Sequence, residues 1–286
     1  MTDNYKLAII GYPLSHSLSK VIHETALKTC GLSGSYDILP TEPENLVTRI
    51  KRLKVEGYSG FNVTIPHKVP ITLFLSKFDT NADLIGSVNT VKITEDKNLE
   101  GSNTDIYGFV KPIPDDAKAN LRDNYATVLG TGGAARAICA GLVSLGVSKI
   151  TFYSRNVIDS HNHVEILRQK FPKIKIELKP YTLLDTLAGN KILVNTTPVG
   201  MKNFLEGVSP VDFQAIKTLD DDAFIYDIVY NPIKTRLIKY AQECNKRYTG
   251  GLDMLVFQAQ KAFEIWTGQT PDTKAMKIAA LESLAQ

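Results

Sequence analysis

Residues 126–136, with the sequence ATVLGTGGAAR, constrain the fold of this chain more than any other segment. A short apolar run over 127–129 meets a glycine-rich turn, and a pattern with helical spacing follows over 134–145. A strand, a glycine turn and a helix in this order form a dinucleotide-binding βαβ unit, in which Gly130 permits the tight turn and Gly132 lets the backbone approach a pyrophosphate. An ordinary turn before a helix is the alternative interpretation. The segment alone indicates no reaction.

The residues on both sides of this turn alternate between strand and helix patterns, which is typical of an α/β fold. After residue 124 the pattern has the rhythm of a doubly wound sheet. It predicts strands at 125–129, 149–154, 174–178, 191–195 and 224–228, and helices at 134–145, 161–171 and 235–244. The N-terminal part forms an α/β domain of its own. There the pattern predicts strands at 6–10, 36–39 and 61–64 and helices at 20–30, 45–54 and 69–75.

Composition narrows the classes of function. A chain of 286 residues that is 43% hydrophobic and 22% charged has the composition of a globular protein with one large or two ordinary domains. The formal net charge of +3 is small and dispersed, so we expect no nucleic-acid partner. A polar N-terminus, the lack of a long apolar run, and three cysteines without a CxxC motif predict a cytoplasmic protein with no membrane partner.

Polar side chains cluster near the predicted strand ends in the N-terminal part of the chain. The clusters are Ser17 with Ser19, Thr64 with Lys68, Asn89 with Thr90, and Asn103 with Asp105. Ligands of open α/β sheets bind outside the carboxyl ends of the strands. Hydroxyls, amides, one lysine and one aspartate suit a small polyhydroxylated substrate, whereas a metal site needs several carboxylates or histidines. Because each residue alone could be a cap, a turn residue or a surface lysine, the prediction depends on their joint placement.

Two of these residues, Lys68 and Asp105, could act on a proton. A lysine paired with an aspartate can pass a proton to and from a substrate hydroxyl while the hydroxyl becomes a carbonyl. The lysine then needs its pKa lowered by desolvation or set by its partner, and the sequence leaves both open.

Gln258 lies on or beside an apolar stripe near the C-terminus. The stripe consists of Leu252, Leu255, Val256, Ala259, Ala262, Phe263 and Trp266 at helical spacing. A buried amide needs hydrogen-bond partners, so Gln258 is either a core amide bonded to backbone or an amide that faces a polar ligand.

Eight ordered motifs extend along the whole chain. They are GYPLSHSLS at 11–19, NVTIPHK at 62–68, IGSVNT at 85–90, NTD at 103–105, GTGGAARA at 130–137, NTTPVGM at 195–201, DIVYNP at 227–232 and GGLDMLVFQ at 250–258. In this set the chain resembles the shikimate/quinate dehydrogenase family, and most closely its shikimate dehydrogenases. No single motif is specific for this family, but eight motifs in the same order are highly specific for it.

The resemblance implies an enzyme of the shikimate pathway that reversibly reduces 3-dehydroshikimate to shikimate with NADP, and it implies Lys68 and Asp105 as the catalytic pair. The implied substrate contacts are Ser17, Ser19, Thr64, Asn89, Asp105, Tyr230 and Gln258. The implied cofactor contacts are Gly130, Gly132, Gly133, Ala134, Ser154, Arg155, Thr196 and Gly251. No metal is implied, and the protein is expected to be a monomer or a homodimer.

The implied fold is α/β with three parts. Residues 1–105 form an α/β substrate-binding and catalytic domain, and residues 106–248 form a Rossmann-type, doubly wound NADP-binding domain. The C-terminal helices over 249–286 return to pack on the first domain.

The predicted second strand of the Rossmann domain bears on the choice of cofactor. It ends in Ser154-Arg155-Asn156, with no acid to accept a ribose 2′-hydroxyl, and an arginine there suits a 2′-phosphate. NADP is therefore favoured. Many NADP-using relatives have a Thr after that Arg and a second basic residue a few positions later. This chain has Asn156 and no basic residue at 157–160, so a relaxed preference stays open.

Other departures from the family pattern bear on the acid that is accepted. Lys20 stands where Pro is usual, Glu24 where Asn is common, and Ser87 where Ala is usual. A quinate or dual-specificity dehydrogenase and a non-catalytic NADP-sensing protein stay as alternatives. Ser17 and Ser19 fit shikimate better by resemblance, and the intact Lys68/Asp105 pair counts against a sensor.

Overall fold

The computed structural model describes residues 4–14 and 17–285. The chain divides into two compact units. The first unit runs to residue 108 and includes the residues from 256 onward, and the second unit contains residues 109–255. The functional domains expected at 1–105, 106–248 and 249–286 stay predictions.

The first unit contains a six-stranded mixed sheet. Its strands are β1 (Asn4–Gly11), β2 (Ser33–Pro40), β3 (Gly60–Val63), β4 (Lys77–Phe78), β5 (Thr90–Ile93) and β6 (Leu99–Ser102), in the spatial order β2-β1-β3-β5-β6-β4. β1 is parallel to both of its neighbours, whereas β5 is antiparallel to β3 and to β6. Because of this reversal, the end of β3 lies beside the start of β5, where Asn62 pairs with Thr90.

The second unit contains a six-stranded sheet in which every pair of neighbours is parallel. Its strands are β7 (Tyr125–Leu129), β8 (Lys149–Ser154), β9 (Lys175–Pro180), β10 (Asn190–Asn195), β11 (Phe224–Asp227) and β12 (Arg247–Gly250), in the order β12-β11-β10-β7-β8-β9. This is the order of a doubly wound dinucleotide-binding sheet, and its direction of winding reverses between β7 and β10. The predicted Rossmann-type fold is confirmed.

Eleven α-helices accompany the sheets in the described part of the chain. They are α1 (Ser19–Thr29), α2 (Leu46–Val55), α3 (Thr80–Ile85), α4 (Asp105–Val110), α5 (Asp115–Ala119), α6 (Gly133–Ser144), α7 (Val157–Lys170), α8 (Phe213–Lys217), α9 (Arg236–Glu243), α10 (Gly251–Thr267) and α11 (Thr273–Leu284). None of the helices formed by the described residues has the length and apolar character needed to cross a bilayer.

The helix predicted at 69–75 is wrong in type, because Pro70–Phe74 forms a 3₁₀ helix instead. Pro70 occupies its first position and has no N–H to donate, and Leu75 is extended with ψ 141°. Lys68 lies in the turn that precedes this 3₁₀ helix.

The C-terminal helices contribute to the core of the first unit. Trp266 of α10 is buried against Leu7 and Ile9 of β1, and its indole N–H donates to the carbonyl of Val91 at 2.9 Å. α11 packs against α1. This packing places the middle of α10, and with it Gln258, near the strand ends of the first sheet.

Candidate active site

Lys68 and Asp105 form an ion pair in the first unit. The ammonium nitrogen of Lys68 lies 2.6 Å from Oδ2 of Asp105, and the two side chains are 18% and 11% exposed. Lys68 sits in the turn after β3, and Asp105 is the first residue of α4. The pair is thus largely shielded from water but still open to a small molecule.

Asn89 connects this pair to the rest of the site. Its amide nitrogen donates to Oδ1 of Asp105 at 2.7 Å and to Oγ1 of Thr104 at 2.9 Å. Its amide oxygen accepts the backbone N–H of Thr104 at 2.8 Å. Since a backbone N–H can only donate and an ionised carboxylate can only accept, both ends of the Asn89 amide are assigned.

Backbone contacts between strand ends and turns hold these side chains in place. The N–H of Val88 donates to the carbonyl of Lys68 at 2.8 Å, and the N–H of Asn89 donates to that of Ser102 at 3.1 Å. Asn103 bonds to the carbonyl of Ser87 at 2.9 Å and accepts the N–H of Asp105 at 3.1 Å. The three loops that carry Lys68, Asn89 and Asp105 are therefore fixed to one another.

Gln258 lies at the same cluster. It is half-buried on α10, and its Oε1 is 3.5 Å from the amide nitrogen of Asn89. The structure thus favours an amide that faces polar groups over one in an apolar core. Its contact with a substrate stays a prediction.

The two serines predicted to touch substrate lie at the start of α1. The hydroxyl of half-buried Ser17 accepts the N–H of Ser19 at 3.2 Å. Ser19 is buried and contacts the phenol of Tyr36. Burial raises the pKa of this phenol well above its usual value, and the contact with Ser19 acts in the opposite direction. Ser15 and His16 of the same motif lie outside the described residues.

The remaining predicted substrate contacts are Thr64 and Tyr230. Thr64 is half-buried directly after β3, and its N–H donates to the carbonyl of Ile10 at 2.9 Å. Tyr230 belongs to the second unit, in the loop after β11, where burial raises the pKa of its phenol.

Two buried polar residues belong to this site although the sequence did not single them out. Thr104 fixes Asn89 as described, and Asn62 donates to the carbonyl of Asn89 at 3.2 Å while it accepts the hydroxyl of Tyr36 at 2.7 Å. Both stand inside recognised motifs, which was the available signal. Their roles depend on contacts between strands that no local pattern predicts.

The second unit contains a cavity of about 740 Å³ at the carboxyl ends of its strands. Its walls come from the loops after β7, β8 and β10, which include Gly130, Gly132, Ser154, Arg155 and Thr196. It therefore lies at the point where the direction of the sheet reverses, which is where sheets of this topology bind nucleotides.

The glycine loop has the backbone shape that the sequence predicted. Gly130 has φ +92°, and a Cβ there would lie 2.8 Å from Cγ2 of Thr197. Gly132 caps α6 in an extended conformation, and a Cβ on it would meet no atom within 4 Å. The open side of Gly132 allows a ligand to approach the backbone, as a pyrophosphate would.

Three other predicted cofactor contacts lie outside the described lining of this cavity. Gly133 and Ala134 are the first residues of α6. Gly251 begins α10, where a Cβ would overlap the carbonyl of Ile228, so packing alone accounts for this glycine. Thr196, which does line the cavity, donates its hydroxyl to the carbonyl of Leu129 at 2.7 Å and thereby joins the ends of β10 and β7.

The end of β8 supplies opposite charges to the cavity. Arg155 is exposed, and Asp159 lines the same cavity from the first turn of α7. Asn156 caps α7 by accepting the N–H groups of Ile158 and Asp159, and it also donates to the Asp159 carboxylate at 2.6 Å. The cap makes α7 begin at Val157, earlier than the helix predicted at 161–171.

Among the residues that the structure describes, no group of three or more His, Cys, Asp or Glu side chains could hold a metal ion.

Comparisons with known proteins show the family of this chain. The family model "Shikimate dehydrogenase substrate binding domain" matches residues 9–91, and "Shikimate 5′-dehydrogenase C-terminal domain" matches residues 251–281. A curated shikimate dehydrogenase (NADP(+)) of Caldanaerobacter subterraneus subsp. tengcongensis is 38% identical over 261 residues, which cover 91% of each chain. The chain belongs to the shikimate dehydrogenase family.

Solved structures extend the similarity to the whole fold of the family. Shikimate 5-dehydrogenase from Thermus thermophilus, in complex with NADP(H) and shikimate, is 32% identical with a TM-score of 0.83, and the match covers 98% of this chain and 99% of the other. A quinate dehydrogenase from Corynebacterium glutamicum in complex with NAD has a TM-score of 0.89 at 26% identity, covering 98% and 100%. The fold is thus shared by both activities, and the higher sequence identity lies with the shikimate enzymes.

Proposed function

We infer that this protein catalyses the NADP-dependent, reversible reduction of 3-dehydroshikimate to shikimate in the shikimate pathway. The observation that carries this inference is the Lys68–Asp105 pair at 2.6 Å, joined through Asn89 to Gln258 and placed in motifs of the family.

The proposed chemistry of the pair follows from its geometry. A bound NADP would supply the hydride acceptor for the oxidation of shikimate, and a bound NADPH would supply the hydride donor for the reverse reaction. The hydroxyl on the carbon that gives up the hydride must lose its proton as the carbonyl forms, and the pair accepts it either on the Asp105 carboxylate or on Lys68 in its neutral amine form. Among the residues that the structure describes, the ammonium group of Lys68 has one hydrogen-bond partner, Oδ2 of Asp105, so Lys68 keeps donors for a substrate oxygen.

The hydroxyls of the acid have a set of proposed partners. In the first unit, Asn89 and Gln258 offer amides beside the carboxylate, and Ser17, Ser19 and Thr64 offer hydroxyls. The phenol of Tyr230, in the second unit, is a further proposed contact. A neutral hydrogen bond contributes about 0.5–1.5 kcal/mol, so orientation of the acid depends on the set more than on any one member.

The residues around the second-unit cavity fit NADP. The turn at Gly130 and the open backbone at Gly132 suit the pyrophosphate, with Gly133 and Ala134 offering N–H groups at the start of α6. Arg155 suits the 2′-phosphate. Ser154 and Thr196, which line the cavity, and Gly251, which begins α10, complete the proposed contacts.

Each part of the chain has a proposed task. Residues 1–105 bind the acid and carry the catalysis, residues 106–248 bind the dinucleotide, and residues 249–286 support the first part. We propose that the enzyme works in the cytoplasm as a monomer or homodimer on a small-molecule substrate, without nucleic acid.

Initial rates at 340 nm test the function. Shikimate and quinate are each combined with NADP⁺ and NAD⁺, with blanks that lack the acid. We expect the highest kcat/KM for shikimate with NADP⁺. Absence of turnover in every combination would favour a sensor, and a higher kcat/KM for quinate would favour a quinate dehydrogenase.

A further inference from the structure

Thr90 lies behind the candidate active site and is fully buried at the start of β5. Its hydroxyl is within hydrogen-bond distance of three side chains, at 3.2 Å from Nδ2 of Asn62, 3.0 Å from Oδ1 of Asn89 and 3.3 Å from Oγ1 of Thr104. With no exposed surface, Thr90 itself has no access to a substrate.

The direction of the bond between Asn62 and Thr90 is determined by their neighbours. Asn62 must direct its NH₂ group to the carbonyl of Asn89, and its Oδ1 accepts the hydroxyl of Tyr36. The same NH₂ group therefore donates to Thr90. Because the Thr90 oxygen accepts this bond, its own proton is available for Oδ1 of Asn89.

This proton bears on the orientation of the Asn89 amide. Oδ1 of Asn89 receives the Thr90 hydroxyl and the N–H of Thr104, while Nδ2 donates to Asp105. A rotated amide would set its oxygen against the Asp105 carboxylate and its NH₂ group against the backbone N–H of Thr104. By donating to Oδ1, the Thr90 hydroxyl adds one hydrogen bond that stabilises the observed orientation.

We propose that Thr90 is a positioning residue whose hydroxyl holds the amide of Asn89 so that Asp105 is directed toward Lys68. Thr90 thus acts on the acid-base pair through Asn89 and not by contact with substrate. The inference rests on the proposed function, because its consequence is measured as turnover of shikimate.

Thr90→Val removes the hydroxyl and keeps the shape of the side chain. One hydrogen bond contributes about 0.5–1.5 kcal/mol, so we expect kcat/KM for shikimate to fall about three- to tenfold, with most of the loss in kcat. The dissociation constant of NADP⁺ should stay the same. Thr90→Ser retains the hydroxyl and should restore most of the lost kcat.

Thr127→Val is a matched control. Thr127 lies on β7, is buried, and donates its hydroxyl to Oδ1 of Asn190 at 3.1 Å, so the same type of bond is lost in the other unit. It should lower the melting temperature about as much as Thr90→Val does and leave kcat unchanged. A loss of kcat confined to the Thr90 variant then separates positioning from stability.

Wild-type kcat and KM in Thr90→Val, or a Ser variant as slow as the Val variant, would overturn the inference. If Thr90→Val does not fold, Thr90→Ala is compared with Thr90→Ser, and the Ala variant should be slower by the same factor. Wild-type protein in the same assay separates the two claims. An inactive wild type contradicts the proposed function, whereas an active wild type with an unaffected Val variant contradicts only the role of Thr90.

Discussion

At the scale of single residues, the candidate site depends on how each charge is compensated. Lys68 and Asp105 compensate each other at 2.6 Å inside a shell of neutral amides and hydroxyls. In the second unit, Arg155 shares its cavity with Asp159, and the carboxylate of Asp159 is held by Asn156. The charges of Lys68 and Asp105 therefore neutralise each other, whereas the exposed Arg155 in the cavity is able to pair with a bound anion.

Replacement of Arg155 tests its proposed contact with a 2′-phosphate. A charge-assisted hydrogen bond contributes about 1.5–3 kcal/mol, so Arg155→Ala should weaken NADP⁺ binding about ten- to a hundredfold. The negative charge of Asp159 repels the same phosphate, so we expect a loss near the lower end of this range, about tenfold. Isothermal titration with NADP⁺ and NAD⁺ measures both dissociation constants, and that of NAD⁺ should change little.

Two further variants control this measurement. Lys170→Ala removes an exposed cation from the other end of α7 and should affect neither nucleotide. Asp159→Asn removes the opposing charge and should tighten NADP⁺ binding. Equal losses for both nucleotides in Arg155→Ala would refute the contact.

Gln258 offers a second test at this scale. With its amide 3.5 Å from Asn89, Gln258→Ala should raise KM for shikimate a few- to tenfold, because one neutral hydrogen bond is worth about 0.5–1.5 kcal/mol. The dissociation constant of NADP⁺ should not change. Gln260→Ala removes an amide from the same helix, where it donates to Glu264 at 3.1 Å, and serves as the control. Unchanged kinetics with a lower melting temperature in Gln258→Ala would assign this amide to the core.

These residues also mark how far the sequence could predict the site. The helical phase of Gln258 and the strand-end position of Lys68 were enough to place both near polar partners. The roles of Thr104 and Asn62 were not predictable, because each depends on a hydrogen bond to a residue on another strand or loop. At Gly251 the motif implied a contact with the cofactor. The structure explains this glycine by packing alone, because a Cβ there would overlap the carbonyl of Ile228.

At the scale of elements, the ends of β10 and β11 are joined by one buried carboxylate. Asp227 accepts bonds from Asn195 at 2.9 Å, from the N–H of Val229 at 3.1 Å and from the hydroxyl of Thr235 at 2.6 Å. Burial raises the pKa of Asp227 to about 6, although these hydrogen bonds act in the opposite direction. Thr235 also caps α9, so Asp227 fixes the start of that helix relative to the sheet.

The raised pKa predicts a pH dependence of stability. A carboxyl group with a higher pKa in the folded state favours folding when protonated, so its contribution is full below about pH 4 and is lost as the pH rises through about 6. The difference in unfolding free energy between wild type and Asp227→Asn should therefore shift against the wild type by up to about 3 kcal/mol between pH 4 and pH 7. Urea denaturation of both proteins at each pH measures this shift. Asp96→Asn, which replaces an exposed aspartate, is the control, and its difference in unfolding free energy from wild type should not shift between the two pH values. The same pH response in all three proteins would contradict the prediction for Asp227.

Elements were predictable where their pattern was strong and local. The five strands predicted in the second sheet were recognised from apolar runs, whereas β12 was missed because its half-exposed residues carry no such pattern. The start of α7 was missed because Ile158, which is exposed, does not fit an amphipathic helix. The antiparallel direction of β5 depends on pairing with β3 and β6, which periodicity does not encode.

At the scale of the whole molecule, the two proposed tasks lie in different units. The Lys68–Asp105 pair belongs to the first unit, and the glycine-loop cavity belongs to the second. A variant at Lys68 should therefore remove proton transfer while the molecule still binds its nucleotide.

Turnover of Lys68→Ala at saturating shikimate and NADP⁺ tests this account most directly. General acid-base catalysis contributes on the order of 10²–10⁴ in rate, so we expect a loss of that size in kcat with an unchanged dissociation constant for NADP⁺. Lys92→Ala, which removes a half-buried lysine from β5, should retain its kcat. A Lys68→Ala protein with turnover near that of the wild type would contradict the account, because Lys68 would then be an ordinary lysine beside an aspartate.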